Sequence, residues 1–244
     1  MTNYQLLALD LDGTLLNNKK KITNESIKCI KKVYAEGMKV IISTGRGYPR
    51  VETLIDDLGL DIPMVLLNGA EVRLNKEKVI DRTFLKSSSI RTLHSFAKES
   101  NSKFWGYNVS SQVTWKQWSS EMFKLQWLKF GMKNQNISVI NSMKDRIKRV
   151  DENVEVTSSA NNNIECSLKG VTKESGVLTV CNFFNIDMSN VVAIGDNLND
   201  YGLLKLAGLG IAMGNADERL KAISDKVTDT NENEGIAYAI KNFL

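Results

Sequence analysis

The sequence predicts an α/β protein: a doubly wound, Rossmann-like parallel-sheet core with a smaller α+β domain inserted into it. Three observations carry the prediction. Apolar runs of strand length alternate with helical patterns at both ends of the chain, which is the signature of a parallel sheet covered on both faces. Several of those runs stop at carboxylates or at glycine turns, in "LALDLDGT", "VIISTGR" and "VVAIGDNLND". Between about residues 84 and 165 the texture becomes more polar, and all four tryptophans, Trp105, Trp115, Trp118 and Trp127, fall there.

Taken in order, "YQLLALD" reads as a buried strand. "ITNESIKCIKKVYAEG" reads as a helix with Ile27, Ile30 and Val33/Tyr34 on one face, capped by Thr23 or Asn24 and ended by Gly37. "MKVIIST" is a second strand, "GRGYPRVETLIDDLG" a turn and helix, and "IPMVLLNG" a third strand. In the middle region "TLHSFAK" is helical and "NSKFWGYNVSSQVTW" gives short strands. "SEMFKLQWLKFG" is expected to form a helix, and "NVEVTSSANNNIECSL" two strands with a turn. The core then resumes with a helix in "TKESGVLTVCNFF", a strand in "VVAIGD" and a helix in "NDYGLLKLAG". "LGIAMG" is a strand, "ADERLKAISD" a helix, "KVTD" a short strand and "EGIAYAIKNFL" a final helix. The expected division is a core of residues 1–82 and 168–244 around an insert of residues 84–165.

Composition narrows the function classes. The chain has 244 residues with 42% hydrophobic and 25% charged residues, ordinary for a globular protein with a sizeable core. Its 32 basic and 28 acidic residues leave a net charge of +4, too small to argue for a nucleic-acid partner. The densest basic spots, Lys19-Lys20-Lys21 and "KDRIKR", read as solvated faces. Cys29, Cys166 and Cys181 lack a C-x-x-C spacing and are odd in number, which argues against a disulfide framework and for a reducing compartment. No secretory signal pattern and no apolar run of about 18 residues is present, so a cytoplasmic protein without a membrane partner is expected. The single His94 reads as a structural residue of its helix. The tryptophans read as the core of the insert, with a ligand-lining role as the alternative.

The strand ends carry the chemistry. Asp10 and Asp12 close the first strand, with Gly13 and Thr14 directly behind. In an open parallel sheet, ligands bind at the carboxyl ends of the strands. Two carboxylates there repel each other and are costly to desolvate, and a divalent cation relieves both problems. Hard oxygen ligands in a phosphate-handling crevice suit Mg²⁺. A helix-capping Asp10 and a solvated turn at Asp12 fit the same stretch. The second half shifts the balance, because Asp196 ends another apolar strand, followed by Asn199 and Asp200. Thr44-Gly45-Arg46 ends a third strand with a hydroxyl and a free amide suited to a phosphoryl oxygen. Lys173 places a cation at a helix start, where anions are already favoured.

Asp10-Leu-Asp12-Gly-Thr14, Thr44-Gly45-Arg46, Lys173 and Gly195-Asp196-x-x-Asn199-Asp200 together resemble the four motifs of the haloacid dehalogenase superfamily of phosphotransferases. "LLNGAEV" and "AGLGIAMGNADERLKAISDKVT" are similar to its Cof-type phosphatases, as is an insert between the second and third motifs. Glu174 departs from the glycine usual after the motif-three lysine. The resemblance implies that Asp10 attacks phosphorus to form an aspartyl-phosphate. It implies that Asp12 protonates the leaving group and then activates water. The Asp10 and Asp196 side chains and the Asp12 carbonyl would hold Mg²⁺. Thr44, the Gly45 amide, Lys173 and Asn199 would hold the phosphoryl oxygens, with Asp200, Thr14 and Arg46 in support and Asn68 and Asn215 lining the site less directly. The expected activity is Mg²⁺-dependent hydrolysis of a small phosphorylated metabolite, a sugar phosphate first, by a monomer or weak homo-oligomer. The alternatives are a phosphosugar mutase or other phosphotransferase, and a regulator that only binds phosphorylated ligands; the intact Asp10/Asp12 pair speaks against the last. Selection of the leaving group is expected to fall to the insert.

Overall fold

The structure, a computed structural model, describes residues 4–244. The chain divides into two compact units, one built from residues up to Asp81 together with Lys173–Leu244, the other from Arg82–Thr172. In the first unit the chain runs through β1 (Leu6–Leu9), α1 (Asn24–Ala35), β2 (Lys39–Ser43), α2 (Glu52–Leu58), β3 (Met64–Leu66), β4 (Glu71–Arg73) and β5 (Val79–Arg82). The second unit contains α3 (Ser87–Glu99), β6 (Lys103–Tyr107), β7 (Gln112–Thr114), β8 (Lys129–Lys133), α4 (Ile137–Val150), β9 (Val154–Thr157) and β10 (Asn163–Leu168). The first unit resumes with α5 (Lys173–Phe184), β11 (Val191–Gly195), α6 (Tyr201–Leu206), β12 (Leu209–Ala212), α7 (Glu218–Lys221), β13 (Lys226–Val227) and α8 (Gly235–Phe243).

The first unit is organised by an eight-stranded sheet in the order β13-β12-β11-β1-β2-β3-β4-β5. From β13 to β3 every pairing is parallel, and β4 turns back antiparallel on β3. All four residues of β1 and all five of β11 are buried, so both faces of the central strands are covered. α1 packs against α8, while α5 packs against α6 and against β2, β3 and β4. α1 begins where the Thr23 hydroxyl accepts a hydrogen bond from the Ser26 amide. It stops at Gly37, whose φ of +101° lies in the left-handed region. Its buried face is Ser26, Cys29, Ile30 and Val33, whereas Tyr34 is exposed.

The strand order places the site. From β1 the chain winds outward through β2 and β3, then returns to place β11 on the opposite side of β1. Leu9 is in register with Ile42 on β2 and with Ile194 on β11. The residues that follow on these three central strands therefore emerge together at one sheet edge, at the point where the winding reverses.

The second unit is a five-stranded antiparallel sheet, β7-β6-β8-β10-β9. α3 and α4 supply Leu93, Phe96, Ile140 and Ile147 to a core completed by Phe104, Phe130, Met132, Ile164 and Cys166 from the strands. The expected helix over "SEMFKLQWLKFG" is corrected here: only Ser120–Lys124 forms a 3₁₀ turn, and the segment then becomes β8. Period two decides it, since Phe130 and Met132 enter the core while Gly131 lies under the indole of Trp105, where a side chain would collide. The tryptophans divide. Trp127 is fully buried and Trp118 stacks on it at 4.8 Å, but Trp115 is exposed. His94 sits among Phe104, Trp118 and Phe123, a structural position. The three cysteines are buried and free, and no described helix is long and apolar enough to cross a membrane.

Candidate active site

Asp10 directly follows β1 and is buried, its amide donating to the Ile194 carbonyl across the sheet at 3.1 Å. Lys173 is the first residue of α5, and its side chain is fully buried. Its Nζ donates to Asp10 Oδ1 at 2.6 Å and to Asp200 Oδ1 at 2.6 Å. The other Asp200 oxygen accepts the amides of Asp196 at 3.2 Å and Asn197 at 3.1 Å. Asp200 thus braces the β11 turn with one oxygen and orients Lys173 with the other. Gly195 makes room for it, because a side chain there would overlap the Asp200 carboxylate.

Asp196 completes the constellation. Carboxylate oxygens of Asp10, Asp196 and Asp200 all lie within 4.8 Å of one another. The Thr14 hydroxyl donates to Asp196 Oδ1 at 3.1 Å. Gly13, with φ at +84°, lies against the Asp196 carboxylate so closely that a Cβ would collide with it. Burial raises Asp10 well above the usual carboxylate range, with Asp200 and Asp196 adding to the shift and Lys173 opposing it. Burial, with Asp200 beside it, raises Asp196 to about 6. Burial works against the charge on Lys173, yet the attraction of Asp10 and Asp200 outweighs it and holds the ammonium protonated. A pocket that strains to ionise its own carboxylates is one that a divalent cation fits.

Asp12 behaves differently from what its spacing suggests. Its carboxylate is absent from the Asp10–Asp196–Asp200 cluster. Arg46 grips it through a fork, Nε to Oδ2 at 2.7 Å and Nη2 to Oδ1 at 2.7 Å, and Lys20 Nζ donates to Oδ1 at 2.9 Å. Burial opposes ionisation, but the hydrogen bonds from Arg46 and Lys20 outweigh it and lower the carboxyl to about 2. Lys20, within the Lys19-Lys20-Lys21 run, keeps a side chain that is 60% exposed while its ammonium pairs with Asp12.

The remaining strand end is formed by Thr44, which is buried just beyond β2 and accepts the Arg46 amide on its hydroxyl at 3.2 Å. Gly45 lies between them in the same turn. Asn68, in a left-handed conformation at φ +59°, accepts from Asn199 Nδ2 at 3.3 Å, which joins the β3 turn to the β11 turn. Asn215 acts through the backbone, donating to the Gly13 carbonyl at 2.8 Å while its oxygen takes the Asn231 amide at 2.9 Å. Glu174 lies against Gly202 at the start of α6; the space for its carboxylate exists because position 202 has no side chain. Sequence reasoning missed Lys20, which no motif contains, and Asn231, which braces the same loop through the Leu16 carbonyl at 2.9 Å.

A doubly wound core with buried acids and a lysine at its switch point is an arrangement suited to phosphoryl chemistry. The chain belongs to the haloacid dehalogenase-like hydrolases, in their Cof-type phosphatase branch: that family's profile matches residues 7–129 and 111–240. It is similar to the 5-amino-6-(5-phospho-D-ribitylamino)uracil phosphatase YcsE of Bacillus subtilis, 32% identical over 99% of this chain and 96% of that protein. It is 29% identical to a phosphoglycolate phosphatase of Methanobrevibacter smithii, over 99% of each chain. A haloacid dehalogenase-like hydrolase from B. subtilis shares the fold with a TM-score of 0.91 over 98% of this chain and 100% of that one, at 24% identity.

Proposed function

We infer that this enzyme is a Mg²⁺-dependent phosphatase of small phosphomonoesters working through an aspartyl-phosphate on Asp10. The observation that supports this most is the clustering of three carboxylates at the strand-end switch point, two of them paired with one buried lysine. A structural ion pair balances its charges; here negative charge is in excess at a site where removing water makes it costly. Asp10, Asp196 and the Asp12 main-chain carbonyl are assigned to Mg²⁺, an all-oxygen donor set that suits a hard cation. Bound there, Mg²⁺ would neutralise charge between the Asp10 carboxylate and an incoming phosphoryl group.

The chain's own groups take the other roles. An Asp10 oxygen attacks phosphorus, and the ester oxygen leaves with a proton from Asp12, which must enter this step protonated although Arg46 and Lys20 favour its ionised form in the free protein. Asp12 then takes a proton from water, which attacks the aspartyl-phosphate and regenerates Asp10. The Thr44 hydroxyl, the Gly45 amide, Lys173 and Asn199 hold the phosphoryl oxygens. Asp200 orients Lys173, Thr14 orients Asp196, and Arg46 holds Asp12. The substrate we assign is a small phosphorylated metabolite, with sugar phosphates first; relatives named for a ribityl phosphate and for phosphoglycolate support small phosphomonoesters generally.

The test is a panel of phosphorylated metabolites and one aryl phosphate assayed with Mg²⁺, followed by rapid quench to trap phosphate on Asp10. Turnover with a trapped phosphoenzyme is expected. Binding without turnover of any ester would favour a phospho-ligand-binding regulator, and phosphate passing to an added sugar in preference to water would favour a phosphotransferase.

A further inference from the structure

We propose that Lys20 is a positioning residue for Asp12, the third arm of a clamp that fixes the acid–base carboxylate; this rests on the role assigned to Asp12 above. Two features set the contact apart from an incidental surface pair. First, the turn that presents Lys20 is built. Asn17 accepts the Lys20 amide on its carbonyl at 2.8 Å and the Lys21 amide on its side chain at 3.1 Å, and its own amide returns to the Lys21 carbonyl at 3.1 Å. The chain entering this turn is held from the other half of the unit: Asn231 Nδ2 donates to the Leu16 carbonyl at 2.9 Å, and the Asn18 amide donates to Glu232 Oε1 at 2.5 Å.

Second, Lys20 holds a left-handed backbone conformation, φ +59°. A residue with a Cβ gives up about 1–2 kcal/mol to stay there. Its ion pair does not return that as stability, because the Lys20 side chain is 60% exposed and exposed pairs contribute little. In this conformation the ammonium reaches Asp12 Oδ1 at 2.9 Å.

The geometry also divides the two oxygens of Asp12. Oδ1 receives both Arg46 Nη2 and Lys20, whereas Oδ2 receives Arg46 Nε. Lys20 thereby ties down one oxygen and leaves the less encumbered Oδ2 to give and take the proton. Arg46 alone is a symmetric fork that does not distinguish them. The Lys20 ammonium bonds Asp12, so its influence on catalysis runs through Asp12.

The experiment compares Lys20→Met, Lys20→Arg and Asp12→Asn with wild type, using the best alkyl phosphomonoester of the panel. Lys20→Met should lower kcat about tenfold, or ~1.4 kcal/mol of barrier, with KM within about twofold and the melting temperature unchanged. Lys20→Arg should restore most of kcat. Wild-type kcat in Lys20→Met, a rise in KM at constant kcat, or a loss that arginine does not restore would each overturn the assignment. Turnover surviving in Asp12→Asn would instead overturn the acid–base reading of Asp12, whatever Lys20 does.

Discussion

Replacing Lys173 with methionine removes the one cation in a buried cluster while keeping most of the side-chain volume. The Lys173 side chain is fully buried, and those of Asp10 and Asp200 are 8% and 1% exposed. Both carboxylates lose a 2.6 Å charge-assisted hydrogen bond. Deleting one partner of a buried pair costs about 3–5 kcal/mol, because the remaining charge is stranded. Asp10 is already raised and can relieve part of this by taking a proton, so the low end, about 3 kcal/mol, is expected at neutral pH. For a chain of this size that is a fall of about 6–12 °C in melting temperature. The sign with pH follows from the Asp10 shift. Without Lys173 its folded-state pKa rises further above the unfolded value, so the penalty is complete at high pH and shrinks as pH falls through the folded pKa. The assay is thermal unfolding followed by circular dichroism, in chelator so that no metal compensates, at neutral and mildly acidic pH. A fall of less than about 2 °C at neutral pH, or a gap that widens on acidification, would refute the argument from stranded charge.

Asp10→Asn should leave the fold intact and remove turnover; a rate within about tenfold of wild type, only ~1.4 kcal/mol of barrier, would show that Asp10 is not the nucleophile. Asp196, raised to about 6 against an ordinary value of 3.8, should make the metal-free protein lose stability as pH rises between those values, by about 3 kcal/mol. Mg²⁺ should reverse that loss, and unfolding curves with and without the cation that run parallel across this window would count against a metal at Asp196. Gly13→Ala puts a Cβ into the Asp196 carboxylate at a φ of +84°. It should raise the Mg²⁺ concentration for half-maximal activity at least tenfold, with about 1–2 kcal/mol of destabilisation; an unchanged Mg²⁺ titration would show that Asp196 is not held in place by this contact.

Most of the core was legible because its signals are local. A four-residue strand such as Leu6–Leu9, buried on both faces, must be apolar throughout, and a helix such as Asn24–Ala35 writes its cap and its period into neighbouring residues. The strand-end acids Asp10 and Asp196 could be read for the same reason, since an apolar strand that stops at a carboxylate needs an explanation wherever it occurs. The segment over 120–131 failed on this local level: Phe123, Trp127 and Phe130 recur at helical spacing, and only the tertiary structure shows Phe130 and Met132 alternating into the core with Gly131 beneath Trp105.

What the sequence could not determine is which charges meet. Asp10 and Asp12 are two positions apart, yet one pairs with Lys173, 163 residues away, and the other with Arg46, 34 residues away. Asn215 reaches the Gly13 carbonyl across 202 residues. These pairings depend on β11 and β2 flanking β1, and on the register that brings their ends to one edge. Lys20 is nearer in sequence, eight residues from Asp12, but only a turn that holds it at φ +59° aims it at that carboxylate. Residue type and spacing determined the kinds of groups at the site. Strand order, register and one strained turn decided which carboxylate joins the buried acidic cluster and which is clasped by cations, because Coulomb energy and desolvation depend on separation in space, and the chain's own order does not set that separation.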